Sequence, residues 1–337
     1  GVWERRNYAA SVGKRPQATM RKFCEEVREG HLVLLRVGSQ YVHGVGEVVG
    51  ASLWLDDFGD VDGWDLQHVR RVRWLWKCEG KPERFPVYSL KWGGTIEELG
   101  QDPKRRPVLD WLRSISVPDA AYHRACRPLP ASCKNGVPLK GTSIGAIGDY
   151  LFDKGMAATF VDHLLAGMGE LVRIANWYKR ANVKSSEHET VAYLVVPLLR
   201  ALGWTPQMMA VEWHHVDVAL FDRLPRSDDS LAVTVEAKSR GNACLAARSQ
   251  AEKYALSRNG CKRLIVTDGL RYGVYLRHPG AREFAQTPVA YLNLLRMKDT
   301  YPVLRCGGAQ DALLIMAADW RGQIPSSPAG TSAVPAD

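Results

Sequence analysis

Short apolar runs rich in β-branched residues alternate along this chain with longer stretches of helical period. Near the middle lie 216–221 (Val-Asp-Val-Ala-Leu-Phe) and 232–238 (Ala-Val-Thr-Val-Glu-Ala-Lys), which read as two buried strands joined by a polar loop. The runs 31–37 and 42–49, separated by Gly38-Ser39-Gln40, read as a hairpin, and 69–76 as a further strand in which Val and Trp alternate with arginines. Several short strands without a crossover helix predict a small β-barrel. Helical period governs 19–28, then 143–182 with a break near Gly155, then 191–202 closed by Gly203-Trp204. Shorter helices are expected at 107–115, 289–297 and 311–320. The implied layout is a β-barrel domain over 1–95, an irregular linker over 96–140 and a helical connector over 141–184. An α/β domain follows over 185–322, then a Pro-, Ser- and Ala-rich disordered tail over 323–337.

Composition narrows the class. With 337 residues, 46% hydrophobic and 24% charged, the chain reads as globular and as more than one domain. The connector helices are expected to pack on the α/β domain or to bridge it to the barrel. No apolar run approaches the ~20 residues a membrane-spanning helix needs. The start, Gly-Val-Trp-Glu-Arg-Arg, lacks an apolar secretory segment, which predicts an intracellular, cytoplasmic protein with no membrane partner. Seven cysteines without a Cys-x-x-Cys pair fit reduced, mostly buried thiols. A net charge of +9 favours an anionic partner. No Gly-x-x-x-x-Gly-Lys-Ser/Thr loop is present, so the chain carries no recognisable motor and any ATP dependence would come from a partner subunit.

The two central runs carry charges where apolar strands ordinarily do not: Asp217 in the first, Glu236 in the second, with Lys238 two residues beyond Glu236 on the same face. A divalent cation held by Asp217 and Glu236, with Lys238 beside the attacking water, would compensate these charges and form a phosphodiester-cleaving centre. An isolated Asp or a Glu-x-Lys is ordinarily a surface ion pair, but the apolar flanks here argue for burial. His214-His215 read as structural, because adjacent strand residues face opposite ways.

Asp, then Glu-x-Lys, resembles the motif of the PD-(D/E)XK nuclease superfamily, in particular the nuclease-like region of type I restriction motor subunits. The similarity runs in order from about 185 to 276. Ser186-Glu187-His188-Glu189-Thr190 opens a helix, Gln250-x-x-x-Tyr254 lies on a later one, and a strand, turn and strand follow at 263–275. The resemblance implies a mixed sheet flanked by helices, with Mg2+ as cofactor (Mn2+ substituting) held by Asp217, Glu236 and the carbonyl of Ala237. It implies that Glu187 orients water at the ion or holds a second one. Glu189 or Glu212 could take that role, and Glu187 could equally be a helix-start acid. Gln250 and Tyr254 would support Lys238 or contact the phosphate chain, or else form a polar helix face.

At Gly44-Val45-Gly46-Glu47-Val48 the amino-terminal strands resemble PUA/EVE-like barrels, some of which hold a modified base. Trp54 and Trp64 lie in an aromatic and acidic segment that could grip a base or simply be core. Arg70, Arg71 and Arg73 are a phosphate-contacting stripe or a solvated strand face. Together these features predict a Mg2+-dependent DNA endonuclease of a prokaryotic restriction or anti-phage system, with the barrel selecting DNA. Because nucleases of this type often cut both strands as dimers, a second copy joins DNA among the implied partners. The competing readings are a nucleic-acid sensor whose nuclease-like domain binds without cutting, and a barrel that binds a nucleotide or modified base as an activating signal.

Overall fold

The computed structural model describes residues 14–322 other than 39, 79–80, 85–95, 100–105, 107–109, 112–113, 115–140, 182, 184, 241–242, 259 and 279. Two compact units result, Gly1–Leu55 with Leu66–Leu129, and Asp56–Asp65 with Pro130–Asp337. The segment 56–65, expected within the amino-terminal domain, therefore belongs to the second unit. Most of the helix expected at 107–115, the linker and the tail fall outside the described residues.

In the first unit, α1 (Lys14–Arg21) runs on into a π-turn, Lys22–Glu26, earlier than the helix expected over 19–28. The strands are β1 (Leu32–Val37), β2 (Tyr41–Val48), β3 (Leu53–Trp54), β4 (His68–Val69), β5 (Val72–Lys77) and β6 (Glu83–Arg84). Strand β2 pairs antiparallel with β1, β5 and β6, and buries Val42 and Val45. Among the described residues this is an open sheet, a correction to the expected closed barrel. Strands β1 and β5 each pair with β2 alone, and Leu32, Leu35 and Val37 of β1 stay exposed. The strand expected over 69–76 is broken at Arg70-Arg71. Arg70 turns back to donate to the carbonyls of Phe23, Cys24 and Gly50, which ends β4 before β5 begins.

The second unit is a layered α/β fold. Its helices are α2 (Ile144–Asp153), α3 (Ala158–Ala181), α4 (187–201, with a π-turn at Val191–Val195), α5 (Arg248–Leu256) and α6 (Ala309–Met316). Its strands are β7 (Met209–Trp213), β8 (Val216–Phe221), β9 (Leu231–Ala237), β10 (Arg263–Thr267), β11 (Arg271–Leu276), β12 (Ala290–Asn293), β13 (Thr300–Tyr301) and β14 (Cys306–Gly307). They form one mixed sheet, ordered β13-β14-β12-β11-β10-β9-β8-β7. Strands β9 and β10 run parallel, as the crossover through α5 allows, whereas β7, β8 and β9 pair antiparallel. One face, with Val218, Leu220, Val233, Val235 and Leu292, packs on α2, α3, α4 and α6. The other, with Leu264, Val266 and Tyr275, packs on α5.

Of the two placements expected for the helices over 141–184, the first holds: Ile147, Leu151, Leu164, Met168 and Leu171 are buried in the same core as β8 and β9. The break near Gly155 is present, with φ +84° at that residue. The helix expected over 289–297 is instead strand β12, drawn into the sheet by antiparallel pairing with β11, Arg271 opposite Asn293. Among the described residues no helix is long and apolar enough to cross a membrane.

Gly46 shows why the Gly-Val-Gly spacing of β2 suits a tight sheet. A Cβ there would meet the Val72 side chain and lie 2.8 Å from the Arg73 carbonyl oxygen, which is backbone and cannot swing aside. Gly46→Ala should destabilise the first unit by about 1–3 kcal/mol, read as a lower urea midpoint; an unchanged midpoint would remove the close-approach account.

Candidate metal centre

Strand alternation and register create the site. Val218 pairs with Val235 and Ala219 with Thr234, so Asp217 stands directly opposite Glu236 across the antiparallel β8–β9 pair. Alternation puts both on the α5 side of the sheet, because their neighbours Val218, Val235 and Ala237 fill the core on the other side. Glu236 is 3% exposed and Asp217 is half-buried. Like charges in this position repel.

The chain offsets part of that repulsion itself. The Ala237 N–H donates to Asp217 Oδ2 at 2.6 Å, and Lys238 Nζ donates to Glu236 Oε1 at 2.7 Å. Lys238 is held in turn by its own N–H, which donates to the Thr267 carbonyl at 2.8 Å. The offset is incomplete. Burial, above all, pushes the Asp217 carboxyl up, aided by Glu187 and Glu212 and opposed by the Ala237 N–H and Lys238. Burial likewise raises Glu236, with Asp217 and Glu187 adding to it against Lys238. For Lys238 burial works against the charged form, yet Glu236, Glu187 and Asp217 outweigh it and lift the ammonium's pKa.

The acids around this core divide. Ser186 caps α4 by accepting from the Glu189 N–H at 3.1 Å, which fixes the helix start. From there the field of Glu187 reaches Asp217, Glu236 and Lys238. Glu189 turns to α3 instead. It accepts from Tyr178 Oη at 3.0 Å, and burial together with this carboxylate pushes the phenol up to about 12. Glu212, across the sheet from Asp217, pairs with His188 at 3.2 Å, both groups being exposed. His214 and His215, with φ +46° and +70°, make the two-residue turn between β7 and β8. On α5, Gln250 is exposed. Tyr254 packs with Val216, Ala219, Phe221 and Leu231 and stacks on His215 at 6.3 Å between ring centroids. The surroundings of Tyr254 are thus the apolar patch beside the acids.

Two opposed carboxylates and the Ala237 carbonyl are hard oxygen donors that fit Mg2+ or Mn2+, and the raised carboxyls are what an undercompensated pair should show. Among the described residues no group of three or more His, Cys, Asp and Glu side chains gathers in metal-holding geometry. A ligand set of two carboxylates completed by water is what Mg2+ ordinarily accepts.

Residues 3–94 match a family described as a domain of unknown function (DUF8426). No curated protein and no solved structure matches the chain. The family match spans β1–β6 and the segment 56–65, and it names no activity. Within that region the residues expected to bind nucleic acid separate. Trp54 belongs to the first unit and meets His68 edge-on at 4.7 Å. Trp64 belongs to the second and is 63% exposed. Arg70 is occupied by backbone carbonyls, Arg73 pairs with Glu47, and Arg71 is exposed.

Sequence reasoning missed the Asp268–Arg271 turn. Arg271 pairs with the fully buried Asp268 at 3.2 Å, one residue beyond the carbonyl that holds Lys238. Asp60 and Asp62, which the sequence offers only as acids of the aromatic segment around Trp54 and Trp64, bind β11, β12 and the Cys244–Ala247 turn, a role not foreseen. Only the dipeptide Asp62-Gly63, a hairpin-turn signal, could have pointed to them.

Raised carboxyls bind protons more tightly in the folded state than in the unfolded chain. Their contribution to stability is therefore present at low pH and lost as pH rises from the ordinary carboxylate range through the raised values. Asp217→Asn keeps the acceptor for Ala237 and removes the repulsion. In EDTA at pH 7 its melting midpoint should exceed that of the wild type, and Mn2+ should raise only the wild-type midpoint. A lower midpoint in EDTA, or an equal Mn2+ shift in both proteins, would contradict this electrostatic account.

Proposed function

We propose that the chain is a Mg2+-dependent DNA endonuclease of the PD-(D/E)XK type, with the second unit as the cutting domain. The observation that carries the reading is the opposition of Asp217 and Glu236 on adjacent antiparallel strands, with Lys238 ion-paired to Glu236 at 2.7 Å. Asp217, Glu236 and the Ala237 carbonyl would hold the ion. Bound there, Mg2+ supplies Lewis-acid stabilisation of phosphoryl charge and makes water a competent nucleophile. Lys238, kept protonated by its three carboxylate neighbours, positions the attacking water and offsets phosphate charge. Glu187, at the capped start of α4, orients water on the open side of the pair. The net charge of +9 suits a polyanionic substrate.

The amino-terminal unit, on this reading, selects the DNA. A selector joined to a cutter suits a restriction or anti-phage system, and a second copy of the chain would allow both strands to be cut.

Asp217→Ala and Lys238→Ala should each lower Mg2+-dependent cleavage of plasmid DNA at least about 100-fold, with circular dichroism unchanged and EDTA silencing the wild type. Unaltered cleavage by both variants would reject the reading. DNA binding without any cutting by the wild type would favour a nucleic-acid sensor instead.

A further inference from the structure

The segment Asp56–Asp65 is a small hairpin clamped into the second unit. Val61 and Trp64 pair in both directions, at 2.8 and 3.0 Å, and Asp62 and Gly63, with φ +49° and +83°, make the primed turn that Asp-Gly favours. Asp60, itself at φ +63°, is fully buried: Asn293 Nδ2 donates to its Oδ2 at 2.6 Å. Lys298 Nζ donates to the Gly59 carbonyl at 2.8 Å, and Arg296 pairs with Asp65 at 2.8 Å. The Leu245 N–H donates to Asp62 Oδ1 at 3.1 Å, while Arg271 donates to the Asp62 carbonyl and occupies the space a Cβ at position 63 would need.

Burying a carboxylate and holding non-glycine residues at positive φ both work against folding. What the clamp achieves is to hold one large apolar side chain in water, since Trp64 remains 63% exposed. Its position is specific. Arg271 joins the hairpin to Asp268, the residue after Thr267, and the Thr267 carbonyl accepts from Lys238. Strands β9, β10 and β11 are neighbours, so the anchor at the start of β11 lies two strand spacings, about 10 Å, from the end of β9, along the same end of the sheet. That is roughly three base steps at the 3.4 Å rise of DNA.

We infer that Trp64 is a substrate-positioning residue, whose indole stacks on a base of the DNA a few nucleotides from the phosphate that would be cut at the proposed metal centre. The inference rests on the proposed function for the identity of the substrate. An indole presented from a clamped backbone suits this task, because every base has a face to stack on.

The test uses the full chain and labelled single-stranded and duplex oligonucleotides, with Ca2+ replacing Mg2+ so that cutting is suppressed and binding is read by fluorescence anisotropy. Trp64→Ala should bind about tenfold to a hundredfold more weakly, and Trp64→Phe should recover most of the affinity. Phe152→Ala, which removes an exposed aromatic from α2, should bind as the wild type does. Wild-type affinity in Trp64→Ala, or no binding by the wild type itself, would overturn the inference. A wild type that cuts with Mg2+, beside a Trp64→Ala that binds and cuts equally well, removes the stacking role and leaves the nuclease reading standing. Weaker binding by Trp64→Ala, beside a wild type that never cuts, does the reverse.

Discussion

Two carboxylates facing each other across an antiparallel strand pair are an unfavourable arrangement, and the second unit is built around one. The register of β8 and β9 makes Asp217 and Glu236 direct neighbours, and the burial of Val218, Val235 and Ala237 on the opposite face leaves the strands no freedom to slip and separate them. A one-residue slip would turn every core residue of the strand outward. The local remedies, one backbone N–H and one ammonium, leave both carboxyls more proton-hungry than usual. A hard cation is the natural complement to what remains.

Another buried charge in the same unit shows that the fold can neutralise a charge when nothing else is required of it. Arg263, 6% exposed, donates to the carbonyls of Ile315 and Ala317 at 2.8 Å each and lies between the rings of Trp204 and Trp320, 5.2 and 5.1 Å from their centroids. Burial lowers its pKa to about 10, and the group still finds carbonyl acceptors and aromatic faces around it. The acidic pair, although Glu236 is only 3% exposed, is offset less completely, and both carboxyls are raised. Its supports come from one side, through the Ala237 N–H and the Lys238–Thr267 contact, and Glu187 and Glu212 add further negative potential. Asp268 and Arg271 brace the turn beside it, and through Arg271 the hairpin at 56–65 becomes part of the same end of the sheet.

Much of this was legible in the sequence because the features are local. Strands β8 and β9 follow from β-branched runs, β10 and β11 from the order of motifs in the resembling family, the α2–α3 break from Gly155, and the closeness of Asp217, Glu236 and Lys238 from alternation together with adjacency of the two runs. Features decided by distant pairing were not legible. Residues 289–297 carry apolar positions that suit either period, and only pairing with β11 makes β12 a strand. Arg70 looked like part of a charged stripe until its guanidinium met the carbonyls of Phe23, Cys24 and Gly50. Trp64 looked like part of the amino-terminal domain, whereas the buried carboxylate of Asp60 carries it into the other unit.

The central claim is that Asp217 and Glu236 share one divalent cation. Crystals of the protein soaked in Mn2+ and measured near the manganese absorption edge test it directly. The account predicts a single strong anomalous peak between the two carboxylates, within coordination distance of both and of the Ala237 carbonyl, that disappears in Asp217→Asn. No peak there, with Lys238 still bridging to Glu236 at saturating Mn2+, would contradict it.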